Sequence, residues 1–409
     1  MAPPGSTGCR RSPADVKALL IQPRAMHWFW NWSPPPIGLL YMKAAAPEQT
    51  TVVDCAHLGI DERAVIDAER PDIVGCTAFT STRHEVLAIL EYAKAAGCTT
   101  VLGGPHVLTP ATARQCADNY PFVDYIVRGD GEAAWRDLVN GLPRPRVSLD
   151  FEADIDALAP PDWSAVDVTS YLPRDSGLVH GVDLEQTPRI SVVFSRGCPG
   201  RCRFCTTWHR PVRRHSPEWI ERMLTPLADA GIRHLTVDDD CWGTDEENAI
   251  EISEVMGRLG FVWRATTRAD LLTEDMVYAM ADAGCYSITV GLEHGSPRML
   301  ELIGKDLDLQ TVIDGRRYCW DAGVRFEVLC LQGYPGETEQ DREIHDSFIR
   351  ILDPDVISRS FATYLLPGSK IWHEAVKRGE VDDSVWLGPG RFCVSKPGKP
   401  VMWREMGIE

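Results

Sequence analysis

Residues 198–205 read Cys198-Pro-Gly-Arg-Cys202-Arg-Phe-Cys205, three cysteines at a Cys-x-x-x-Cys-x-x-Cys spacing. The strongly β-prone run Ile190-Ser-Val-Val-Phe-Ser195 lies just before them. Three thiolates this close together can bind three corners of a four-iron cluster and leave the fourth iron open. Structural zinc needs a fourth ligand, and electron-transfer clusters normally use four cysteines. The loop therefore predicts an iron site that is open to a reactant.

A zinc site is the alternative interpretation of the same loop, with His209 or His215 as the fourth ligand. Zinc loops usually consist of paired Cys-x-x-Cys units, and only one such unit is present here. The spacing therefore favours the iron–sulfur interpretation.

Phe204 precedes the third cysteine, and Gly197 and Pro199 bend the loop. With these neighbours the loop resembles the cluster-binding loop of the radical S-adenosylmethionine (radical SAM) superfamily. The resemblance implies a [4Fe-4S] cluster on the three cysteines, with Phe204 beside S-adenosylmethionine that chelates the open iron through its amino and carboxylate groups. Reductive cleavage would give a 5′-deoxyadenosyl radical, with the electron supplied by an external reductant such as flavodoxin or ferredoxin.

Composition limits the kind of partner. The 409 residues, 44% of them hydrophobic, are enough for two domains with separate cores. The 42 Lys and Arg residues against 59 Asp and Glu residues give a net charge of −17, which argues against nucleic acid or an anionic membrane as the main partner. No apolar run approaches the ~20 residues of a membrane span. We therefore predict a small-molecule substrate.

Outside the loop, most of the 13 cysteines are scattered singly, often inside apolar runs where cysteine packs as a small hydrophobic residue. This distribution is typical of a reducing compartment. The first residues lack the apolar segment of a signal peptide. We therefore predict a cytoplasmic protein.

Residues 16–140 alternate short apolar runs with helical patterns, which predicts an α/β fold with a doubly wound parallel sheet. The predicted strands are Val16–Gln22, Thr51–Asp54, Ile73–Thr77, Thr100–Gly103 and Tyr125–Arg128. The predicted helices are Ile37–Ala46, Asp61–Glu69, Arg83–Ala96, Pro110–Asn119 and Glu132–Asn140. We predict a disordered N-terminus over residues 1–14, this domain over 15–141 and a turn-rich linker over 142–187.

A second alternating series begins at Ile190. Its predicted strands are Ile190–Ser195, His234–Asp238, Val262–Thr266, Ser287–Gly291, Arg325–Leu331 and Val356–Thr363. Six βα units form an open, partial (β/α)6 barrel, which is the core fold of the superfamily that the cysteine loop resembles. We predict this barrel over residues 188–375 and a cap or tail over residues 376–409.

Parallel barrels present their active sites at the C-terminal ends of their strands. The second strand ends in Asp238-Asp-Asp-Cys-Trp242, and three adjacent carboxylates repel one another unless a cation lies nearby. The resemblance places Asp239 or Asp240 against the amino group of S-adenosylmethionine. A solvated acidic loop is the alternative.

Two more strand ends carry charged residues. Arg264 and Arg268 follow the third strand, and a guanidinium can bind both oxygens of a carboxylate. The resemblance favours Arg268 for the carboxylate of S-adenosylmethionine, and we expect Arg264 to pair with a barrel carboxylate. The fourth strand leads into Gly291-Leu-Glu293-His-Gly-Ser296, which resembles the family run in which the glutamate binds ribose hydroxyls.

Three stretches of the first domain resemble the cobalamin-binding domain of radical SAM enzymes. They are Pro34-Pro-Pro-Ile-Gly38-Leu-Leu-Tyr41, Gly103-Gly104-Pro-His106 and Val123-Asp-Tyr-Ile-Val-Arg-Gly129-Asp-Gly-Glu132. The resemblance implies cobalamin contacts from Gly103, Gly104, His106, Gly129 and Glu132. Glycines at a strand end also let the backbone approach a large ligand. The alternative for the acidic turn is a helix start, where carboxylates favour the positive end of the dipole.

The order and spacing of these motifs imply a cobalamin-dependent radical SAM enzyme of the class B methyltransferase type. Such an enzyme abstracts hydrogen from an unactivated carbon of a small, natural-product-type substrate and methylates it from methylcobalamin. Cys241 and Cys330, near predicted strand ends, are candidate hydrogen donors to a product radical, with simple packing as the alternative. Two other functions remain open: a radical SAM cyclase, ring-rearranging enzyme or oxidoreductase without methyl transfer, and a non-enzymatic metal module.

Overall fold

The computed structural model describes residues 15–25, 34–173, 177–207, 211–360, 363–388, 392–396 and 399–403. Two six-stranded sheets dominate these residues. One belongs to the N-terminal half of the chain, and the other to the half that follows the linker. Each is parallel throughout.

The first sheet has the strand order β2-β1-β3-β4-β5-β6. Its strands are β1 (Ala18–Gln22), β2 (Thr50–Asp54), β3 (Ile73–Thr77), β4 (Thr99–Gly103), β5 (Tyr125–Gly129) and β6 (Val147–Asp150). Its helices are α1 (Ile37–Ala45), α2 (Cys55–Leu58), α3 (Glu62–Glu69), α4 (Arg83–Ala95), α5 (Pro110–Asn119) and α6 (Glu132–Val139). Leu19, Val74 and Leu102 are buried at the centre of this domain because strands covered on both faces are apolar throughout.

The five strands predicted for this sheet are confirmed, with ends that differ by at most two residues. The sixth strand, Val147–Asp150, was missed, because its residues were interpreted as linker. It is an edge strand of four residues with an exposed, intermediate, exposed and buried pattern. Such a short and mostly solvated strand carries little apolar periodicity.

The second sheet follows a short hairpin of β7 (Leu178–Val179) and β8 (Val182–Asp183). Its strand order is β16-β15-β14-β13-β12-β9, an open and partial barrel. The remaining strands of this half are β9 (Arg189–Val192), β10 (Ser195–Arg196), β11 (Arg213–Arg214), β12 (His234–Trp242), β13 (Val262–Thr267), β14 (Cys285–Glu293), β15 (Arg325–Leu331) and β16 (Val356–Ser360). The helices are α7 (Pro217–Asp229), α8 (Glu246–Arg258), α9 (Glu274–Asp282), α10 (Pro297–Ile303), α11 (Leu309–Asp321) and α12 (Glu339–Leu352).

The two faces of the second sheet differ in polarity. Outward side chains such as Leu235, Val237 and Ile288 join one apolar core with the surrounding helices. Their neighbours along the strands, such as Thr236 and Asp238, point inward and are polar, as the two-residue alternation of a strand requires. We call the space in front of this inner face the lumen.

The C-terminal segment contains α13 (Lys370–Lys377) and three antiparallel strands, β17 (Thr363–Tyr364), β18 (Phe392–Lys396) and β19 (Lys399–Trp403). Trp386 is buried against Trp372, with ring centroids 4.8 Å apart. Arg83 of the first domain donates a hydrogen bond to the Trp386 carbonyl at 2.8 Å. The segment therefore contacts the first domain as well as the barrel.

Within the part of the chain that is described, no helix has the length and apolar character needed to cross a bilayer.

Candidate active site

The loop with the three cysteines lies between β10 and β11 at the C-terminal edge of the barrel sheet. The N–H of Gly197 donates to the Asp240 carboxylate at 3.0 Å, and the N–H of Arg203 donates to the Ile303 carbonyl at 2.8 Å. The Arg203 carbonyl accepts in turn from the N–H of Ile371 at 2.9 Å. The loop is thus held from three sides by β12, α10 and α13.

The three loop cysteines are half-buried, whereas the eight other cysteines in the described residues are buried. Two of the loop sulfurs accept backbone hydrogen bonds, Cys198 from Gly200 at 3.3 Å and Cys205 from Thr207 at 3.4 Å. Such N–H donors stabilise thiolate sulfur and are usual around iron–sulfur clusters. The donor set therefore fits a cluster with three cysteine ligands.

The first two cysteines of the loop have thiols of different acidity. A hydrogen bond from the Cys241 thiol, the N–H of Gly200 and the charge of Arg268 lower the pKa of Cys198 to about 6. Burial raises the pKa of Cys202. Cys198 is therefore poised as a thiolate, the form that binds iron.

The zinc alternative has little support from His215. This side chain is buried, stacks on Trp219 with ring centroids 3.4 Å apart and bonds Asp156 at 2.8 Å. His209 lies outside the described residues. Among the residues that are described, no three His, Cys, Asp or Glu side chains are close enough to hold a single metal ion.

The structure separates the two aspartates that the sequence left as alternatives. Asp239 lies on the outer side, buried, where its carboxylate accepts from the Phe194 N–H at 2.7 Å and the Ser195 hydroxyl at 2.5 Å. Burial raises the pKa of Asp239 to about 7. Asp240 lies on the lumen side beside the cysteine loop. Of the two, Asp240 is the one whose carboxylate bonds the N–H of Gly197 at the start of the cysteine loop.

Arg268 lies beside the cysteine loop and is held by its neighbours. It forms a two-point pair with Asp270, both distances being 2.9 Å, and donates to the Asp306 carbonyl at 2.7 Å. Its Nη1 is 3.3 Å from the point where a Cβ on Gly200 would lie. Arg268 and Lys305 line one cavity of about 830 Å³. A fixed guanidinium there can bind a carboxylate with little loss of entropy.

Glu293 has a backbone conformation that is unusual for a residue other than glycine, with φ of 63°. Its carboxylate bonds the ammonium of Lys305 at 3.0 Å, and both side chains are largely buried. A Cβ on Gly291 would lie 2.6 Å from that ammonium. Strained backbone of this kind is common at ligand sites. Lys305 was missed by the sequence analysis, because a single lysine in a loop carries no motif.

The two candidate hydrogen donors lie in different places. The pKa of Cys241 is raised because its thiol donates to Cys198, so it belongs to the surroundings of the cluster site. Cys330 lies in the apolar core on the outer face of the sheet, and burial raises the pKa of Cys330 to about 12. Its surroundings match simple packing, the alternative that the sequence allowed, and a role as hydrogen donor stays a prediction.

Phe204 is partly buried and packs against the apolar cluster of the C-terminal segment, which includes Leu331, Tyr334 and Trp372. Its ring therefore supports one wall of the cysteine loop.

The first domain has a cavity of about 190 Å³ at the C-terminal ends of its strands, as the doubly wound fold predicts. Gly103 borders it, and a Cβ there would meet only the Val127 carbonyl, at 3.7 Å. Gly104 and Gly129 have φ of 95° and 91°, and a Cβ on Gly129 would lie 2.0 Å from the Asp150 carbonyl. Backbone lines this cavity because side chains are missing at these positions. The exposed backbone could contact part of a large ligand such as cobalamin, most of which would lie outside this cavity.

Glu132 and Asp130, at the rim of this cavity, bind arginines of the barrel with their carboxylates. Arg196 pairs with Glu132 at 2.6 Å and with Asp130 at 3.0 Å, and Arg213 pairs with Asp130 at 2.7 Å. We call these four side chains the interdomain network. One oxygen of Glu132 is thus paired with Arg196, and the other is buried without a hydrogen-bond partner among the described residues, so its contact with cobalamin stays a prediction.

His106 is buried, lies 3.4 Å from the Thr80 hydroxyl and contacts the edge of Trp386. Burial lowers the pKa of His106 to about 3. His106 is not among the residues that line the first-domain cavity, and its contact with cobalamin stays a prediction. His57, in α2 just after the second strand, stacks on Tyr171 with ring centroids 3.9 Å apart.

A second cavity, of about 560 Å³, lies in the lumen. Its barrel wall consists of inner-face residues, and its other wall comes from the first domain. Both cavities are bordered by Gly38, Leu39 and Thr77. The two cavities therefore adjoin between the domains.

Comparison with known proteins agrees with this geometry. A model of the Radical SAM superfamily matches residues 192–349, and a model of the B12 binding domain matches residues 33–139. An uncharacterized methyltransferase of Pyrococcus horikoshii is 30% identical over 392 residues, covering 88% of this chain and 83% of that protein. The anaerobic magnesium-protoporphyrin IX monomethyl ester cyclase of Rubrivivax gelatinosus is 26% identical. The match covers 86% of this chain and 68% of that protein.

A solved structure of similar fold is that of the radical S-adenosylmethionine methyltransferase TsrM from Kitasatospora setae, with cobalamin and a [4Fe-4S] cluster bound. Its TM-score is 0.70 at 20% identity, and the match covers 93% of this chain and 80% of that one. Both domains, the cysteine loop and the adjoining cavities agree with these relationships. The chain belongs to the radical SAM superfamily, in the cobalamin-binding class, and is an enzyme whose cofactors are a [4Fe-4S] cluster, S-adenosylmethionine and cobalamin.

Proposed function

We propose that this enzyme methylates an unactivated carbon of a small, natural-product-type substrate. The observation that carries the proposal is the position of the lumen cavity, which adjoins the first-domain cavity and lies on the face of the barrel sheet that ends at the cysteine loop. A substrate in the lumen would therefore lie between the sites proposed for cobalamin and for S-adenosylmethionine.

When bound, the cluster supplies the electron that cleaves S-adenosylmethionine, and cobalamin supplies the methyl group. The protein's own residues bind and orient. Cys198, Cys202 and Cys205 would hold the cluster, and Asp240 fixes the start of their loop through the Gly197 N–H. The first domain covers the open side of the lumen and limits the access of water to a reactive radical.

The residues proposed for S-adenosylmethionine surround the same loop. Asp240 would meet its amino group, Arg268 its carboxylate and Glu293 its ribose hydroxyls. The N–H groups of Gly103 and Gly104 would contact cobalamin at the first-domain cavity. The electron would come from an external reductant of the flavodoxin or ferredoxin type.

The proposal is tested with anaerobically reconstituted enzyme. We expect an absorption spectrum with iron–sulfur and cobalamin bands, and iron and cobalt contents of four and one per chain. Turnover with reductant should give 5′-deoxyadenosine, and the product should exceed the substrate by the mass of one CH2 unit. A product of unchanged mass would contradict methyl transfer.

A cyclase is the second candidate, because one relative with 26% identity over most of the chain is a cyclase. This function keeps the cluster and the radical but transfers no methyl group. The same experiment separates the two candidates, since ring closure by oxidation removes two hydrogens from the substrate and adds no carbon.

Lys305 is expected to be a positioning residue for Glu293. Replacing Lys305 with Met should weaken S-adenosylmethionine binding by about tenfold or more, because a hydrogen bond to a charged group contributes about 1.5–3 kcal/mol. Equilibrium dialysis of cluster-loaded enzyme measures this change. Lys305→Arg should restore binding in part. Lys94→Met removes an exposed lysine paired with Asp124 in the first domain and should leave binding unchanged. Wild-type affinity in Lys305→Met would contradict the role.

A further inference from the structure

The lumen cavity is polar on the side of the barrel. Its walls there come from Arg189, Ser191, Thr236, Asp238, Arg264 and Thr266. A volume of about 560 Å³ lies in the range of small-molecule sites. A hydrocarbon in this space would leave polar groups without partners, at about 1–3 kcal/mol for each. The walls therefore favour a polar ligand.

Arg264 is held in place on one edge and faces the cavity with the other. Its Nη2 donates to Glu327 at 3.1 Å and to the Thr289 hydroxyl at 3.3 Å. Among the described residues its hydrogen bonds are made through Nη2 alone, and 27% of its side chain remains exposed, within a cavity wall. The guanidinium thus has donors left for a second anion.

Glu327, in contrast, is occupied by partners within the protein. It is buried and accepts from the Ser287 hydroxyl at 2.9 Å and the Thr289 hydroxyl at 3.3 Å, in addition to Arg264. These bonds fix Glu327 below the cavity, where it is absent from the lining. Its role is to orient Arg264, and the free edge of Arg264 is what a ligand would meet.

Arg189 adds a second guanidinium to the same wall, and Asp238 adds a carboxylate. Burial lowers the pKa of Arg189 and the charge of Arg264 lowers it further, whereas Tyr286 and Asp238 act in the opposite direction. Burial raises the pKa of Asp238. Asp238 offsets part of the positive charge of these two guanidiniums, and an anion bound between them would stabilise them further while the Asp238 carboxylate accepts a hydrogen bond.

We infer that the lumen binds a substrate that carries an anionic group, a carboxylate or a phosphate-type group, next to a hydrogen-bond donor. Arg264 and Arg189 bind the anion, and Asp238 accepts from the donor, which is a hydroxyl or an amine. The inference rests on the proposed function only in taking the lumen as the substrate site. It narrows the substrate to small, polar and anionic molecules.

The distance between this anion site and the cysteine loop is consistent with substrate binding in the lumen. Asp238 and Thr266 precede Asp240 and Arg268 by two residues on the same strands or strand ends. Two residues of a strand span about 7 Å. An anchor at this depth leaves room for the remainder of a small substrate between the anion site and the cluster loop.

A matched pair of probes tests the charge requirement. 4-Fluorobenzoate and 4-fluorobenzamide have similar shape, and only the first is an anion. With holoenzyme and saturating S-adenosylmethionine, we expect saturable broadening of the fluorine NMR signal of the benzoate and none of the amide. Inorganic phosphate and acetate serve as competitors. Stronger competition by phosphate identifies a phosphate-type substrate, and stronger competition by acetate identifies a carboxylate.

Variants place the binding in the lumen. Arg264→Gln should weaken binding of 4-fluorobenzoate by at least about tenfold. Because this variant leaves Glu327 buried without its cation, the double variant Arg264→Gln/Glu327→Gln is measured as well and should show the same loss. Arg378→Gln is the control, since Arg378 is exposed and pairs with Glu380 at the end of α13.

Equal broadening of both probes, no saturable broadening of either, or full affinity in the double variant overturns the inference. Binding is measured without turnover. An enzyme that binds 4-fluorobenzoate in the lumen but adds no methyl group would therefore contradict the proposed function and leave this inference standing. An enzyme that methylates its substrate but does not bind 4-fluorobenzoate would support the proposed function and contradict this inference.

Discussion

Replacing Cys198, Cys202 or Cys205 singly with alanine should abolish 5′-deoxyadenosine formation and reduce iron content to background. Each thiolate would bind one iron, and three ligands would leave no spare protein ligand to compensate for a loss. Alanine is used because a serine oxygen can itself bind iron. The measurements are iron content, the visible spectrum and 5′-deoxyadenosine after anaerobic reduction.

The other cysteines supply matched controls for this result. Cys285→Ala removes a buried thiol from the start of β14, and it should keep the cluster and the radical chemistry. Cys241→Ala removes the donor to Cys198 and should keep a cluster of altered reduction potential, because hydrogen bonds to sulfur tune that potential. Full iron content in Cys198→Ala, or its complete loss in Cys241→Ala, would show that Cys241 is the ligand instead.

The cysteine loop was predictable from the sequence because its three ligands lie within eight residues. The strands were predictable because their apolar residues are likewise close together in the sequence. The same periodicity also contains the distinction between Asp239 and Asp240. Leu235 and Val237 point outward, so extending the alternation by two residues places Asp239 outward and Asp240 inward, before the pairing with β13 resumes in a shifted register at Trp242. The sequence analysis ended this strand at Asp238 and so did not use that alternation.

Other parts of the site depend on residues that are distant in sequence. Glu132 and Arg196 are 64 residues apart, and Asp130 and Arg213 are 83 residues apart. No local pattern in the sequence identifies such pairs. The position of Glu132 beside glycines therefore suggested a contact with cobalamin and not an ion pair. His106 was assigned in the same way from its motif, although its ring packs toward Trp386. The glycine motifs mark turns whose backbone borders a cavity. They do not determine where the neighbouring side chains point.

Replacing Arg196 with Met should destabilise the enzyme by about 3–5 kcal/mol, the usual effect of removing one partner from a buried ion pair. The side chains of Arg196, Asp130 and Glu132 are 17%, 9% and 6% exposed, so water cannot replace the lost cation. Although burial opposes the charge, Glu132 and Asp130 raise the pKa of Arg196. Urea unfolding of the variant measures the loss, and a lower iron content is expected too because Arg196 precedes Cys198 by two residues.

Two further variants determine whether the buried charge is the cause. Arg214→Met alters the neighbouring hairpin residue, whose pair with Asp245 is 36% and 39% exposed, and should change stability by no more than about 1 kcal/mol. Arg196→Met/Glu132→Gln removes the stranded carboxylate and should recover part of the lost stability, while Asp130 keeps its pair with Arg213. Equal effects of Arg196→Met and Arg214→Met would contradict a stabilising interdomain network. Recovery of stability without recovery of iron content would show that Arg196 also orients the cysteine loop.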